Sequence, residues 1–258
     1  MFDHGCTLLP EAFFRPIAHR GLHGAATGCL ENTAPAFKAA IDRGFGLECD
    51  LRPASDGTPF VFHDATLDRL VDAIGQVAAR TPAELSRLRY RGHDASVLSY
   101  REFLELAAGK VPLLVEIKSD WDAPDKRFLS AIAELSLGYE GPLALMSFDP
   151  AVMAVMRELT PKLPRGIVSG LYQGSGWWSD RIDPERAYRL SHCLEAGPAQ
   201  PSFIAYHVDS LPTPVTRFMR EVMRLPLFAW TVRNEEQLRR AAQWADQPIF
   251  EGCDPRLA

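Results

Sequence analysis

No Cys-x-x-Cys pair occurs in this chain of 258 residues, and its five cysteines (Cys6, Cys29, Cys49, Cys193, Cys253) are scattered and odd in number. That argues against a disulfide framework or a zinc knuckle and for a reducing compartment. No apolar run approaches the roughly 18 residues of a membrane-spanning helix, so no integral membrane segment is expected. The opening MFDHGCTLLPEAFFRP has no basic start followed by an apolar stretch, so it does not read as a secretory signal. Positive charge is not in excess: 28 Lys and Arg stand against 33 Asp and Glu, a net charge of −5, and no basic stripe offers itself to nucleic acid. There is no internal repeat, low-complexity tract or interdomain linker. These absences together predict a soluble, cytoplasmic protein.

What is present is core. Hydrophobic residues make up 47% of the chain and charged ones 24%, which supports a large packed interior. The length suits a single domain over residues 1–258. Eight short β-rich runs recur: PIAHR (16–20), GLECDL (46–51), VPLLVEIK (111–118), PLALMSF (142–148), RGIVSG (165–170), FIAYHV (203–208), PLFAWTV (226–232) and PIFEG (248–252). Several begin at Pro or Gly, the punctuation of helix-to-strand turns. Helical patterns lie between most of them: APAFKAAIDRG, KRFLSAIAELSLG, PAVMAVMRELT, TPVTRFMREVMR and NEEQLRRAAQWA. Asn234 is placed to cap the last, with Glu235 and Glu236 in its first turn. Eight alternating units predict an α/β fold, a (β/α)8 TIM barrel. An open doubly wound sheet is the competing arrangement, but no GxGxxG follows the first strand.

One gap is oversized, between the second and third barrel runs. It holds a further β-like run, PFVFHD (59–64), after the turn signal Ser55-Asp56-Gly57. So short a turn cannot carry a helical crossover. The run is therefore expected to hairpin onto strand two as part of a small insertion over about residues 52–100.

Catalytic groups of such barrels gather at the C-terminal strand ends. Those ends carry His19-Arg20, Glu48 and Asp50, His63-Asp64, Glu116 and Lys118, and, further on, His207 and Trp230. Period-two alternation puts Glu48 and Asp50 on one face, and Glu116 and Lys118 on one face. If these faces line the barrel mouth, three carboxylates converge, and their repulsion calls for a proton or a cation. Oxygen-only ligands favour a hard ion, Mg²⁺ or Ca²⁺, over zinc. A solvated strand face fits any one pair taken alone, but the apolar runs around these residues argue against it for the set.

The series His19-Arg20-Gly21, Glu31-Asn32-Thr33, Glu48-Cys49-Asp50, His63-Asp64 and Glu116-Ile117-Lys118, in this order, resembles the glycerophosphodiester phosphodiesterase family from residue 16 to about 255. The resemblance implies a (β/α)8 barrel with an insertion after strand two. It also implies roles. Glu48, Asp50 and Glu116 would hold one divalent cation, with His19 and His63 as the acid–base pair. Arg20 and Lys118 would meet the phosphate oxygens, Glu31 and Asn32 would complete the pocket by orienting the first loop, and Trp230 would line it. The substrate would be a small-molecule glycerophosphodiester. Attack by its glycerol hydroxyl would give a cyclic phosphate that water opens to glycerol 3-phosphate and an alcohol. This division is chemically sound: a cation and a guanidinium oppose the charge gathering on phosphorus oxygens, and two imidazoles titrating near neutrality move the two protons. The pair His19-Arg20 then sits where strand one ends and Gly21 lets the chain turn.

The sequence departs from the family pattern in two places: Leu30 stands where relatives often have Pro, and Phe250-Glu251-Gly252 where a Thr-Asp segment is common. The segment GLYQGSGWWSD (170–180) offers Trp177-Trp178 either as a flap or lipid contact or as rim packing. Tyr206 and His207 are candidates to line the pocket, whereas His4, His23, His93 and His192 read as surface or structural residues. Three rivals remain: a phospholipase of the sphingomyelinase D type acting on lysophospholipids, a barrel sugar isomerase with a carboxylate-bound metal, and a binding protein on a degenerate barrel. The first is typically secreted and disulfide-bonded, the second has no need of Arg20 beside His19, and the third has no need of two proton-transfer groups.

Overall fold

A computed structural model describes residues 8–173, 176 and 178–256. Its strands are β1 (Ile17–Ala18), β2 (Gly46–Pro53), β3 (Pro59–Val61), β4 (Leu98–Ser99), β5 (Leu113–Ile117), β6 (Leu143–Ser147), β7 (Arg165–Ser169), β8 (Phe203–His207), β9 (Leu227–Val232) and β10 (Gln247–Phe250). The helices are α1 (Ala34–Asp42), α2 (Pro82–Leu85), α3 (Tyr100–Ala107), α4 (Lys126–Leu137), α5 (Pro150–Leu159), α6 (Pro184–Ser191), α7 (Pro214–Arg217) and α8 (Glu235–Trp244). Strands β1, β2 and β5 to β10 are parallel, and the β1–β2 pairing closes them into an eight-stranded ring. The fold is a (β/α)8 barrel.

Strand alternation divides the core. Leu47, Cys49 and Leu51 of β2 and Leu113, Val115 and Ile117 of β5 face outward, onto Phe37, Phe103, Phe128, Ile132 and Met153 of the helices. Inside the ring, Ile17, Leu114, Ala144, Met146, Val168, Phe203, Phe228 and Ile249 fill the barrel, and Leu9 and Phe13 of the N-terminal segment pack with them. The fit is close: a Cβ on Gly166 would lie 2.2 Å from the ring of Phe203. Burying a side chain of the size of Phe contributes roughly 1.5–3 kcal/mol, so this plug stabilises the ring from within. The polar residues left on the inner face of β2 and β5 are Glu48, Asp50 and Glu116, with Arg52 above them toward the mouth.

The run 59–64 forms β3, antiparallel to β2 with Leu51 opposite Val61, and β4 adds to its far side. Between β3 and β4 the chain builds its own apolar cluster around Phe60, Phe62, Leu67, Val71, Leu85, Tyr90 and Val97. Leu30 packs against that cluster, so the residue found in place of Pro ties the first loop to the insertion. Side-chain caps start the helices: Thr33 accepts from the Ala36 amide, Asp149 from Ala151 and, as its sequence position requires, Asn234 from Gln237. Three helices, α2, α3 and α6, have no counterpart among the helical patterns of the sequence. The run TPVTRFMREVMR is not one α-helix: after α7 it continues as a π-helix over Phe218–Val222, where the Met223 amide bonds the Phe218 carbonyl. Among the described residues no helix is long and apolar enough to cross a membrane.

Candidate active site

The first loop is shaped by backbone that few sequences tolerate. Arg20 and Gly21 are both left-handed, with φ of 55° and 80°, and Asn32 follows at 57°. A Cβ on Gly21 would also lie 2.8 Å from the Ala36 carbonyl carbon, so only glycine permits this turn. Asn32, fully buried, locks the loop: its amide nitrogen bonds the Arg20 carbonyl at 2.9 Å, and its side chain donates to Asp50 Oδ2 at 2.8 Å. The turn lets consecutive residues His19 and Arg20 both reach one cavity.

That cavity, about 450 Å³, opens at the C-terminal end of the ring, among His19, Arg20, His63, Glu116, Lys118 and Trp230. Behind it Glu48, Asp50 and Glu116 each offer a carboxylate oxygen within 4.8 Å of the others. Glu48 accepts from the Arg20 amide through Oε2 at 2.9 Å, while its buried Oε1 has no hydrogen-bond partner. The ammonium of Lys118 lies 2.8 Å from Asp50 Oδ1 and 2.5 Å from Glu116 Oε1. Arg20 Nε lies 3.0 Å from Asp50 Oδ2.

Burial and the neighbouring carboxylates of Asp50 and Glu116 push the Glu48 pKa well above the carboxylate range. Asp50 goes the other way: burial opposes its charge, but Lys118 and Arg20 outweigh burial and hold its pKa down. Lys118 is kept charged against burial by Asp50 and Glu116. Two carboxylates thus have cations of the chain beside them, and the third is the one whose pKa is raised. An orphaned, buried oxygen in an all-carboxylate cluster is what a hard divalent cation would satisfy.

Both histidines are held alike. His19 Nδ1 meets Glu251 Oε2 at 2.5 Å, and His63 Nδ1 meets Asp64 Oδ1 at 2.7 Å. A carboxylate on Nδ1 fixes the tautomer and leaves Nε2 to exchange a proton. His19 is buried and its pKa is lowered by desolvation, an effect that Glu251 partly offsets. Arg69 joins the two sides, bonding Asp64 at 2.6 Å and both oxygens of Glu31 at 2.7 and 2.9 Å, while Glu31 also accepts from Arg20 at 2.9 Å.

The structure thus brings His19, Arg20, Glu48, Asp50, His63, Glu116, Lys118 and Trp230 together. Glu31 and Asn32 are not on the cavity wall; they act on it through Arg20 and Asp50. Tyr206 does not face the cavity: it points outward and bonds the Ser191 carbonyl, because Ala205 takes the inner position on β8. His207 packs its ring on Trp230 at 5.1 Å and takes no part in the carboxylate cluster. Trp178 packs with Tyr172 and Ile182, whereas Trp177 lies outside the described residues. His23, read as a surface or structural residue, has its Nε2 3.4 Å from Glu251.

The residue that the sequence reading missed is Glu251. It follows the last barrel strand directly, so the rule that strand ends carry chemistry, applied to β10, would have found it. Arg52, Asp120 and Arg181 also line the cavity and were missed, two of them on loops without periodicity.

Residues 19–251 match the profile of the glycerophosphoryl diester phosphodiesterase family. Glycerophosphodiester phosphodiesterase 1 of Rattus norvegicus is 30% identical over 166 residues, covering 60% of this chain and 49% of the rat protein. The chain therefore spans about half the length of that curated relative. A solved structure from Silicibacter pomeroyi bearing the same family designation is 26% identical, with a TM-score of 0.73 and 92% of each chain covered. An Oleispira antarctica phosphodiesterase, solved with its product sn-glycerol-3-phosphate, shares the fold at 22% identity, with a TM-score of 0.71 and 96% and 95% of the two chains covered.

Proposed function

The chain belongs to the glycerophosphoryl diester phosphodiesterase family, and from that premise we propose that it hydrolyses glycerophosphodiesters to glycerol 3-phosphate and an alcohol. In this reading Glu48, Asp50 and Glu116 hold one divalent cation, Mg²⁺ or Ca²⁺, and His19 and His63 are the acid–base pair. The observation that carries it is the convergence on one cavity of three carboxylates, two cationic side chains and two histidines whose Nδ1 atoms are both held by carboxylates. The product bound to the Oleispira antarctica protein of the same fold supports the substrate class.

A divalent cation held by Glu48, Asp50 and Glu116 would supply charge stabilisation to the phosphoryl oxygens. The remaining steps belong to the chain. Arg20 and Lys118 line the cavity and orient the anionic phosphodiester. His19, kept neutral by its lowered pKa, accepts the proton of the glycerol hydroxyl at Nε2 as that oxygen attacks phosphorus. Glu251 stabilises the imidazolium that results. His63, about one-third exposed and closer to solvent, donates from Nε2 to the departing alkoxide. The cyclic phosphate is opened by the reverse traffic: His63 takes a proton from water and His19 returns one to the glycerol oxygen. Asp64 does for His63 what Glu251 does for His19, and Arg69 keeps Asp64 in place.

Phosphorus NMR of glycerophosphocholine incubated with protein and Mg²⁺ tests this reading. The diester signal is expected to give way to the monoester of glycerol 3-phosphate, and His63→Ala is expected to abolish the conversion. A folded protein that leaves the diester intact with both Mg²⁺ and Ca²⁺ would sink it.

A further inference from the structure

The inner cations of the cavity are matched by carboxylates: Arg20 and Lys118 by Asp50, Glu116 and Glu31, and Arg233 by Glu251. The outer wall is not balanced in this way. Arg52 Nη1 donates to Asp120 Oδ1 at 3.0 Å, and Arg181 Nη1 donates to the same oxygen at 3.1 Å. Two guanidiniums share one carboxylate, and the wall keeps a net positive charge.

Its place in the barrel gives that charge a meaning. Along β2 the inward positions run Glu48, Asp50, Arg52, from the floor toward the mouth. Along β5 and the loop after it they run Glu116, Lys118, Asp120. Arg52 and Asp120 therefore form the layer above the phosphate-binding layer. They form it on the side of His63, since Arg52 Nε also bonds the His63 carbonyl at 3.0 Å. Arg181 closes the same wall from the loop before α6. Among the described residues, no hydrogen bond engages Nη2 of Arg52 or Nη2 of Arg181, so donors remain for a ligand. Arg52 is firmly placed, its side chain only 13% exposed.

We propose that Arg52 and Arg181 form a subsite for a leaving alcohol that bears an anionic group, a carboxylate or a second phosphate. This rests on the reading of the chain as a glycerophosphodiester hydrolase, with His63 serving the leaving group. A quaternary ammonium is disfavoured at this wall by the two guanidiniums, and Trp121, an aromatic of the cavity lining next to Asp120, already has the guanidinium of Arg186 5.1 Å from its ring. Arginine pairs are well suited to carboxylate and phosphate, whose two oxygens they contact at once.

The test compares kcat/KM for glycerophosphoserine and a glycerophosphoinositol phosphate with that for glycerophosphocholine and glycerophosphoethanolamine, in wild type, Arg181→Gln and Arg181→Glu. Arg181 is 46% exposed and outside the catalytic set, so its variants are expected to fold, and their activity on glycerophosphocholine is expected to rise above wild type as the repelling guanidinium is removed. A charge-assisted hydrogen bond predicts a preference of roughly tenfold or more for the anionic substrates in wild type. The preference should largely vanish in Arg181→Gln and reverse in Arg181→Glu. It should also weaken in high salt, because the site is open to solvent. Of the two anionic substrates, the better one identifies the carboxylate or the phosphate as the ligand. Equal rates on all four, a preference for choline, or an anionic preference that survives Arg181→Glu would overturn the subsite and leave the hydrolase reading standing. Release from none of the four would remove both.

Discussion

Replacing Glu251 by Gln keeps the side chain's shape, but removes the charge facing His19 and, with its oxygen kept for Arg233, turns an amide N–H instead of an acceptor toward His19 Nδ1. The contact is short and shielded: His19 Nδ1 and Glu251 Oε2 are 2.5 Å apart, with side chains 10% and 18% exposed. A buried hydrogen bond to a charged group contributes about 1.5–3 kcal/mol, and here it acts in full only when His19 becomes an imidazolium during the reaction. At 1.36 kcal/mol per factor of ten, kcat should fall about 10- to 100-fold, with KM little changed. The pH profile separates this positioning role from a merely structural one. Burial lowers the His19 pKa and Glu251 raises it, so the variant's His19 should titrate at still lower pH. His19 acts as a base in the first step, so the acid limb of kcat/KM should move to lower pH in Glu251→Gln. The assay is glycerol 3-phosphate release from glycerophosphocholine over pH 5 to 9, at saturating Mg²⁺. A variant with kcat within twofold of wild type and an unmoved acid limb would refute the reasoning.

Four further outcomes are expected. Glu251 itself is held well below its ordinary pKa of 4.5 by His19, His23 and Arg233 against burial, so its contribution to stability is complete above about pH 4.5 and is lost as pH falls through the lower folded value. Thermal melts of Glu251→Gln should therefore be less acid-sensitive than those of wild type. Glu48→Gln removes the carboxylate crowded by Asp50 and Glu116, so metal-free protein should melt higher than wild type while losing activity and any stabilisation by Mg²⁺. Gly21→Ala forces a methyl into the Ala36 backbone at a left-handed residue. It should cost about 2–4 kcal/mol by urea unfolding, and wild-type stability in that variant would contradict the turn described above. Arg69→Met frees Asp64 and Glu31 together, and kcat should drop about tenfold from the lost charge-assisted bonds; an unchanged kcat would show that Asp64 needs no support.

The parts of the fold set by period were legible. Leu113, Val115 and Ile117 alternate with Leu114 and Glu116, and that alternation alone places Glu116 inside the ring. The same rule placed Glu48 and Asp50. It also places Tyr206 outward, opposite in sense to its neighbours Ala205 and His207. The turn at Ser55-Asp56-Gly57 announced the hairpin, but nothing local announced that Leu30 would pack on the insertion. Loop residues were harder to read. Arg69 and Arg181 reach the site through tertiary folding of segments without periodicity, and each touches acids distant in sequence: Arg69 meets Glu31, and Arg181 meets Asp120. Glu251 was legible by position and hidden by its departure from the family's usual Thr-Asp segment. The π-helix at Phe218–Val222 carries no sequence mark that we can identify.

If Glu48, Asp50 and Glu116 hold the cation of a phosphodiesterase site, hydrolysis must depend on an added divalent ion. The most direct test is glycerol 3-phosphate release from a glycerophosphodiester by metal-stripped protein, titrated with Mg²⁺ or Ca²⁺ beside Asp50→Asn. No release is expected without metal, with recovery that saturates at one ion per chain and no recovery in the variant. Full activity after metal removal, or equal recovery in Asp50→Asn, would contradict it.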